Sequence, residues 1–211
     1  MKRTVTFHGT LFSMHREHLS KDKKLKKIIA LQEEFKLQKR NNVHLHIVSS
    51  IISQQLSTRV AAVIYQRFLD LFNKKVPSPQ DILAIDFETL RSIGLSNSKT
   101  HYVRNVCSFF HEKNVTDRQV HKMNDEDLIN FLVQIKGVGR WTAEMILMFT
   151  LGREDVFSVD DLGIQQSMAK LYGLDTTDRK KLKADMEKIA LKWSPYRTYA
   201  CRYLWGWKDQ K

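Results

Sequence analysis

An all-α fold is predicted for this 211-residue chain by three observations. Apolar residues recur at three- and four-residue spacing over long stretches, the period of a helix with one buried face. Proline and glycine, which punctuate β-rich chains, number only three and eight. Strand-like patterning is confined to Thr4–Phe7 and Asp155–Val159. The chain is long enough for one sizeable core or two small lobes.

Taken in order, residues 1 to 20 hold scattered apolar positions and three histidines, His8, His15 and His18. Their spacing matches no zinc-binding pattern, so they are expected to be solvated. From Asp22 to Arg40, Leu25, Ile28, Ile29, Gln32 and Phe35 have helical spacing under a coat of lysines. A basic N-terminal segment over 1–41, packed on a main domain over 42–211, is the expected organisation. Ile47, Val48, Ile51, Ile52, Leu56, Val60, Val63, Ile64 and Phe68 then read as one strong helix. Gln54, Gln55 and Ser57 interrupt its apolar face. Val76-Pro-Ser-Pro-Gln-Asp81 is a break, with Ser78 as cap and Pro79 in the first helical position. Asp86 caps a short helix that Gly94 ends, and Ser96 starts another through Phe110. The run Ile93-Gly-Leu-Ser-Asn-Ser-Lys99 is a plain turn or a second phosphate contact. Asn124-Asp-Glu-Asp127 is a cap with acids in the first turn, suited to the helix dipole, and opens a helix to about Ile135. Thr177 caps a helix carrying Leu182, Met186, Ile189, Ala190 and Trp193. Ser194-Pro195 caps the last one, with Tyr196, Tyr199, Ala200, Tyr203, Leu204 and Trp207 at helical spacing.

Composition narrows the partners and the compartment. Thirty-five Lys and Arg against 23 Asp and Glu leave a formal charge of +12, which favours a polyanion. Binding to acidic lipid, or plain solubility by repulsion, would give the same number. No run approaches the roughly 18 apolar residues of a membrane span, and Met1-Lys-Arg-Thr-Val-Thr-Phe7 lacks the apolar core of a secretory signal. A soluble intracellular protein is expected, cytoplasmic in a prokaryote or nuclear in a eukaryote. Cys107 and Cys201 sit in helical apolar patterns and read as buried free thiols.

The chemistry concentrates in Leu132-Val-Gln-Ile-Lys-Gly-Val-Gly-Arg-Trp-Thr-Ala143 and, about twenty residues later, Val159-Asp-Asp-Leu-Gly-Ile164. The first reads as a helix end, a tight hairpin and a new helix start. Gly137 and Gly139 bracket one apolar residue, and glycine allows positive φ and close backbone approach. The bare N–H groups that open the following helix are a ready phosphate site. The second stretch places two carboxylates at another helix start. Nine such Asp pairs in about ten would be caps only; a phosphate clamp close by in sequence argues for chemistry on nucleic acid.

Ile135 to Ala143 and Val159 to Ile164, with Ser53-Gln-Gln-Leu-Ser57 upstream and Trp193-Ser-Pro-Tyr-Arg197 downstream, resemble the helix-hairpin-helix DNA glycosylase superfamily. Within it the likeness is to the alkylbase branch, the 3-methyladenine DNA glycosylase II type, in a compact form without the extra N-terminal β domain. It covers about Asn42 to Trp207. The resemblance implies a two-lobed helical fold with the active site in the cleft between the lobes. It implies excision of alkylated purines from double-stranded DNA by a monomer that leaves an abasic site.

By the same resemblance Asp161, three residues before an apolar helical position, is the catalytic carboxylate, and Asp160 a cap or support. Trp141, Trp193 and Met145 line the base pocket. Gln55, with Leu56 as accomplice, wedges into the duplex. Gly137, Val138, Gly139 and Arg140 grip phosphate through backbone N–H groups, and Thr142 adds a hydroxyl. Hairpin carbonyls of Ile135 and Gly137 would hold a monovalent Na⁺ or K⁺, as in relatives. Two cysteines cannot supply the four thiolates of an iron–sulfur cluster, so none is expected. Members that also cut the backbone carry a lysine nucleophile where this chain has Trp141, so a monofunctional enzyme is implied. Two alternatives compete: a non-catalytic DNA-binding module, which leaves Asp161, Trp141 and Trp193 without work, and a glycosylase for deaminated or oxidised bases.

Overall fold

A computed structural model describes residues 14–73 and 75–209. The helices in chain order are α1 (Met14–Leu19), α2 (Lys23–Ile29), α3 (Val43–Ser53), α4 (Thr58–Asp70), α5 (Pro79–Ala84), α6 (Phe87–Ser92) and α7 (Asn97–Glu112). They continue with α8 (Asp117–Lys122), α9 (Asp125–Leu132), α10 (Arg140–Phe149), α11 (Leu162–Tyr172), α12 (Arg179–Ala190) and α13 (Arg197–Asp209). Among the described residues no strand forms, so the all-α expectation holds. Asp155–Val159 is irregular, and Thr4–Phe7 lies outside the described residues, as does His8.

Two compact units divide the chain, Leu37–Arg153 and the remainder. Thus residues 14–36 group with 154–209, whereas the sequence reading sets 1–41 against 42–211.

In the Leu37–Arg153 unit, α3 is the central helix. Ile47, Val48, Ile51 and Ile52 are all fully buried, and α3 packs on α4, α7 and α10. Local chemistry fixes the ends of the surrounding helices. Ser78 and Asp81 form a capping box ahead of Pro79, Asp86 caps α6, Ser96 caps α7 and Asn124 caps α9. α8, which the sequence reading passes over, has its own box between Thr116 and Gln119. The long helix expected through Phe68 is instead two. α3 stops at Ser53, Gln55 takes φ 58°, and the Ser57 hydroxyl caps α4. The polar insertion at 54–57 therefore ends a helix, and Leu56, Val60 and Val63 emerge exposed rather than buried.

In the other unit, α13 packs on α2 and α11, and α12 on α11. α2 is shorter than the spacing to Phe35 implies. The Arg16 guanidinium donates to Ile29 O and Gln32 O, and the Gln32 amide to Ile28 O and Tyr203 O. Side chains thus take the carbonyls that another helical turn would need. His15 is buried, not solvated, stacked on Tyr199 at 3.8 Å. Trp193-Ser-Pro-Tyr-Arg197 is a clamp. Ser194 Oγ and the Arg197 guanidinium both donate to Asp155, tying the segment before Asp161 to the start of α13. Cys107 and Cys201 are buried free thiols.

Candidate active site

Asp161 is the N-cap of α11. Its Oδ1 accepts the Ile164 N–H at 2.8 Å, so the helix start that the sequence announces also pins the carboxylate. The same oxygen accepts the Trp205 indole N–H at 2.8 Å. Between them lies Gly163. A Cβ there would stand 3.0 Å from Asp161 Oδ1 and 3.1 Å from the Trp205 ring, so only glycine leaves the contact undisturbed. Asp161 retains 9 % exposure. Asp160, expected as a cap or a support, does not cap α11; it pairs with Lys183 on α12. Beside it a cavity of about 270 Å³ is lined by Asp160, Leu162, Gln165, Arg179 and Lys183.

Trp205 escapes the sequence reading, and Trp193 takes its place there. The structure places Trp193 in the core: it is fully buried, donates its indole N–H to Asp22 at 3.2 Å and meets Phe157 edge-on. A ring enclosed on all sides offers no face to a base. Tyr172 also donates to Asp22, at 2.7 Å. Burial would raise the Asp22 carboxyl, but these bonds and the Lys24 and Leu25 N–H groups hold it below its ordinary range. The available signal for Trp205 is that it falls off the Tyr196–Tyr199–Tyr203–Trp207 stripe of α13. An aromatic off the core face needs another reason to be there.

The hairpin forms much as its glycines require. α9 ends at Leu132, a few residues earlier than expected, and Val138 N–H returns to Ile135 O at 2.9 Å. Gly137 has φ 106° and lies so close to Tyr102 that a Cβ would enter the ring. Gly139, the uncapped start of α10, is different: apart from its chain neighbours, no described residue lies within 4 Å of where its Cβ would be. Its missing side chain leaves room for something from outside. Arg140 lends a backbone N–H here. Its guanidinium is engaged within the protein, forked onto both Glu126 oxygens and also bonded to Glu144. The Arg140 hydrogen bond and charge keep the Glu126 carboxyl low. Thr142, expected to offer a hydroxyl to phosphate, is only 3 % exposed.

Trp141 is 40 % exposed on the first turn of α10, and Met145 is half-buried one turn later. Gln55 is exposed at the left-handed tip between α3 and α4, with Leu56 beside it at 37 %. Ile135 O already accepts from Val138, and a carbonyl keeps a second lone pair. Among the described residues no three His, Cys, Asp or Glu side chains gather where a metal ion could be held. No described helix is long and apolar enough to cross a membrane.

A family model, the HhH-GPD superfamily base excision DNA repair protein, matches residues 48–192, which include the turn at 54–57, the hairpin and Asp161. The chain belongs to this superfamily. Among its HhH-GPD relatives, DNA-3-methyladenine glycosylase 1 of Schizosaccharomyces pombe is 31 % identical over 87 % of this chain and 80 % of its own. The alkylbase DNA glycosidase-like protein mag2 of the same yeast is 35 % identical over 75 % of each. Two solved HhH-GPD structures share the fold. The DNA-3-methyladenine glycosidase of Bacillus halodurans has a TM-score of 0.79 at 36 % identity, covering 94 % of this chain and 90 % of that one. The S. pombe 3-methyladenine DNA glycosylase in complex with abasic DNA has a TM-score of 0.80 at 31 % identity, covering 92 % and 95 %.

Proposed function

We propose that the protein is a monofunctional DNA glycosylase that removes alkylated purines, 3-methyladenine and 7-methylguanine, from duplex DNA. The observation that carries this reading is the Asp161 carboxylate, oriented by Ile164 N–H and Trp205 N–H at the head of α11. An alkylated purine carries a formal positive charge, so its bond to the sugar is already weakened. The C1′–N bond breaks with its electron pair leaving on the base. The sugar that remains is cationic, and a fixed carboxylate stabilises it until water adds at C1′ and gives up a proton. Two N–H donors spare Asp161 the reorganisation that a solvated carboxylate would undergo.

The remaining residues bind and orient. Trp205, beside Asp161, supplies an electron-rich face for the cationic base; such a contact contributes about 2 kcal/mol or more when desolvated. Trp141 and Met145, one turn apart on α10, are assigned to base binding by the resemblance alone. Backbone N–H groups of Gly139 and Arg140 take the phosphate; the Val138 N–H, expected among them, is spent on Ile135 O, and a monovalent cation, if held by the Ile135 and Gly137 carbonyls, would add positive charge there. Gln55, assisted by Leu56, fills the duplex where the nucleotide has left and offsets part of the few kcal/mol that unstacking costs. Trp141 in place of a lysine leaves no amine to attack C1′, so the product is an abasic site in an intact strand. The related yeast glycosylase solved on abasic DNA agrees with that product. The enzyme acts as a monomer inside the cell, where the genome is.

Incubation with methylated duplex DNA tests the reading. Free 3-methyladenine or 7-methylguanine should appear with the parent and not with Asp161→Asn, which should still bind abasic DNA. Strand breaks should need heat or alkali. Binding without release by the parent identifies an inert DNA-binding module, and borohydride trapping removes the monofunctional assignment.

A further inference from the structure

Lys99 is in an unfavourable place by the rules of its own helix. It is the third residue of α7 after the Ser96 cap, and that first turn contains no acidic residue. A cation there opposes the helix dipole. Its ammonium points instead at the end of another helix. Nζ donates to Ile52 O at 2.9 Å and to Gln54 O at 2.6 Å, positions 47 and 45 residues away in sequence. Those carbonyls belong to the C-terminal end of α3, where helices leave acceptors unsatisfied and where a cation is favoured. Partial burial pulls the Lys99 pKa down, a desolvation cost that the two carbonyl bonds oppose.

The residue after Gln54 is the strained one. Gln55 has φ 58° in the left-handed region, which a residue with a Cβ adopts at a cost and keeps only when its surroundings over-determine it. From sequence, the run ending at Lys99 was either a plain turn or a phosphate contact; the structure directs its lysine at the Gln54–Gln55 turn. We infer that Lys99 is a positioning residue for the duplex wedge, holding the last carbonyls of α3 so that Gln55 is presented in its left-handed conformation before DNA arrives. This rests on the proposed role of Gln55.

A double-mutant cycle tests it. Lys99→Met, Gln55→Ala and the double variant are compared in single-turnover release of 7-methylguanine from duplex DNA. They are also compared in affinity for a duplex carrying a tetrahydrofuran abasic analogue beside 2-aminopurine, whose fluorescence reports filling of the gap. Lys99→Met should lower both release and abasic affinity about tenfold, the scale of hydrogen bonds to a charged group. It should also mute the fluorescence change. In the Gln55→Ala background the same substitution should change either measure by less than about twofold. Independent, multiplying losses, or no loss at all, overturn the inference and leave Lys99 an ordinary helix cap. If Lys99→Met does not fold, Lys99→Gln, whose amide can still donate to one carbonyl, enters the same cycle with the same two outcomes. A parent that binds the abasic duplex but releases no base removes the glycosylase reading, and the affinity arm still reads the brace. A parent that releases base with no coupling removes only the brace. A parent that does not bind the abasic duplex removes both.

Discussion

Trp205 and Trp193 are twelve positions apart in sequence, and their surroundings assign them opposite work. Trp205 touches the Asp161 carboxylate by one N–H; Trp193 is wholly enclosed, with Asp22 satisfying its indole. Trp205→Phe keeps a ring and loses that N–H. Base release should fall by about tenfold or more, the scale of a hydrogen bond to a charged group, while the unfolding midpoint stays near that of the parent. Trp193→Ala should do the reverse first, losing about 3–5 kcal/mol of stability to an unfilled core site, read by urea denaturation. Activity per folded molecule should then change less than stability. Periodicity puts Trp193 on an apolar face; its expected pocket role comes from the resemblance alone. What separates core from pocket is whether a ring is closed on every side, and that depends on residues as remote as Asp22 and Phe157.

The hairpin is the element most fully legible in the sequence, because its glycines act locally. Gly137 needs its positive φ and its contact with Tyr102; Gly139 needs neither, and its open side suits an incoming phosphate. The two should separate experimentally. Gly137→Ala should destabilise the fold outright, through backbone strain and the Tyr102 ring. Gly139→Ala should leave thermal unfolding unchanged and weaken binding to duplex DNA of any sequence. Loss of stability in Gly139→Ala would remove the phosphate role. Helix ends set by side chains, such as those at Ser78, Asp86, Ser96 and Asn124, were readable for the same local reason. The break at 54–57 was not. Its apolar spacing continues across the gap, and Lys99, which receives the end of α3, comes from another helix. Thr142 likewise reads as a surface hydroxyl beside an exposed tryptophan until the packing of α10 turns it inward.

Over the whole molecule, the +12 charge suits a polyanion but leaves carboxylates to do much of the fastening. Asp22 joins the start of α2 to Tyr172 and Trp193; Asp155 joins the loop before Asp161 to Ser194 and Arg197. Burial alone would raise the Asp155 carboxyl, and the Arg197 and Ser194 hydrogen bonds outweigh it, so its pKa, like that of Asp22, is lowered on folding. A lowered carboxyl pKa contributes stability that is complete above the unfolded value, near about 3.9, and is lost as pH falls through the folded value. The thermal midpoint should therefore drop below about pH 4, and Asp22→Asn together with Asp155→Asn should flatten that drop while lowering the midpoint at neutral pH. A drop of the same size in the double variant would place acid sensitivity elsewhere.

Because one oxygen of Asp161 both begins α11 and receives the tryptophan, a screen that selects only for heat resistance would read this residue as nothing more than a helix cap. Asparagine caps a helix about as well as aspartate. Such a screen would therefore pass the Asn variant without objection, and a library sorted by melting temperature would carry inert enzymes alongside working ones.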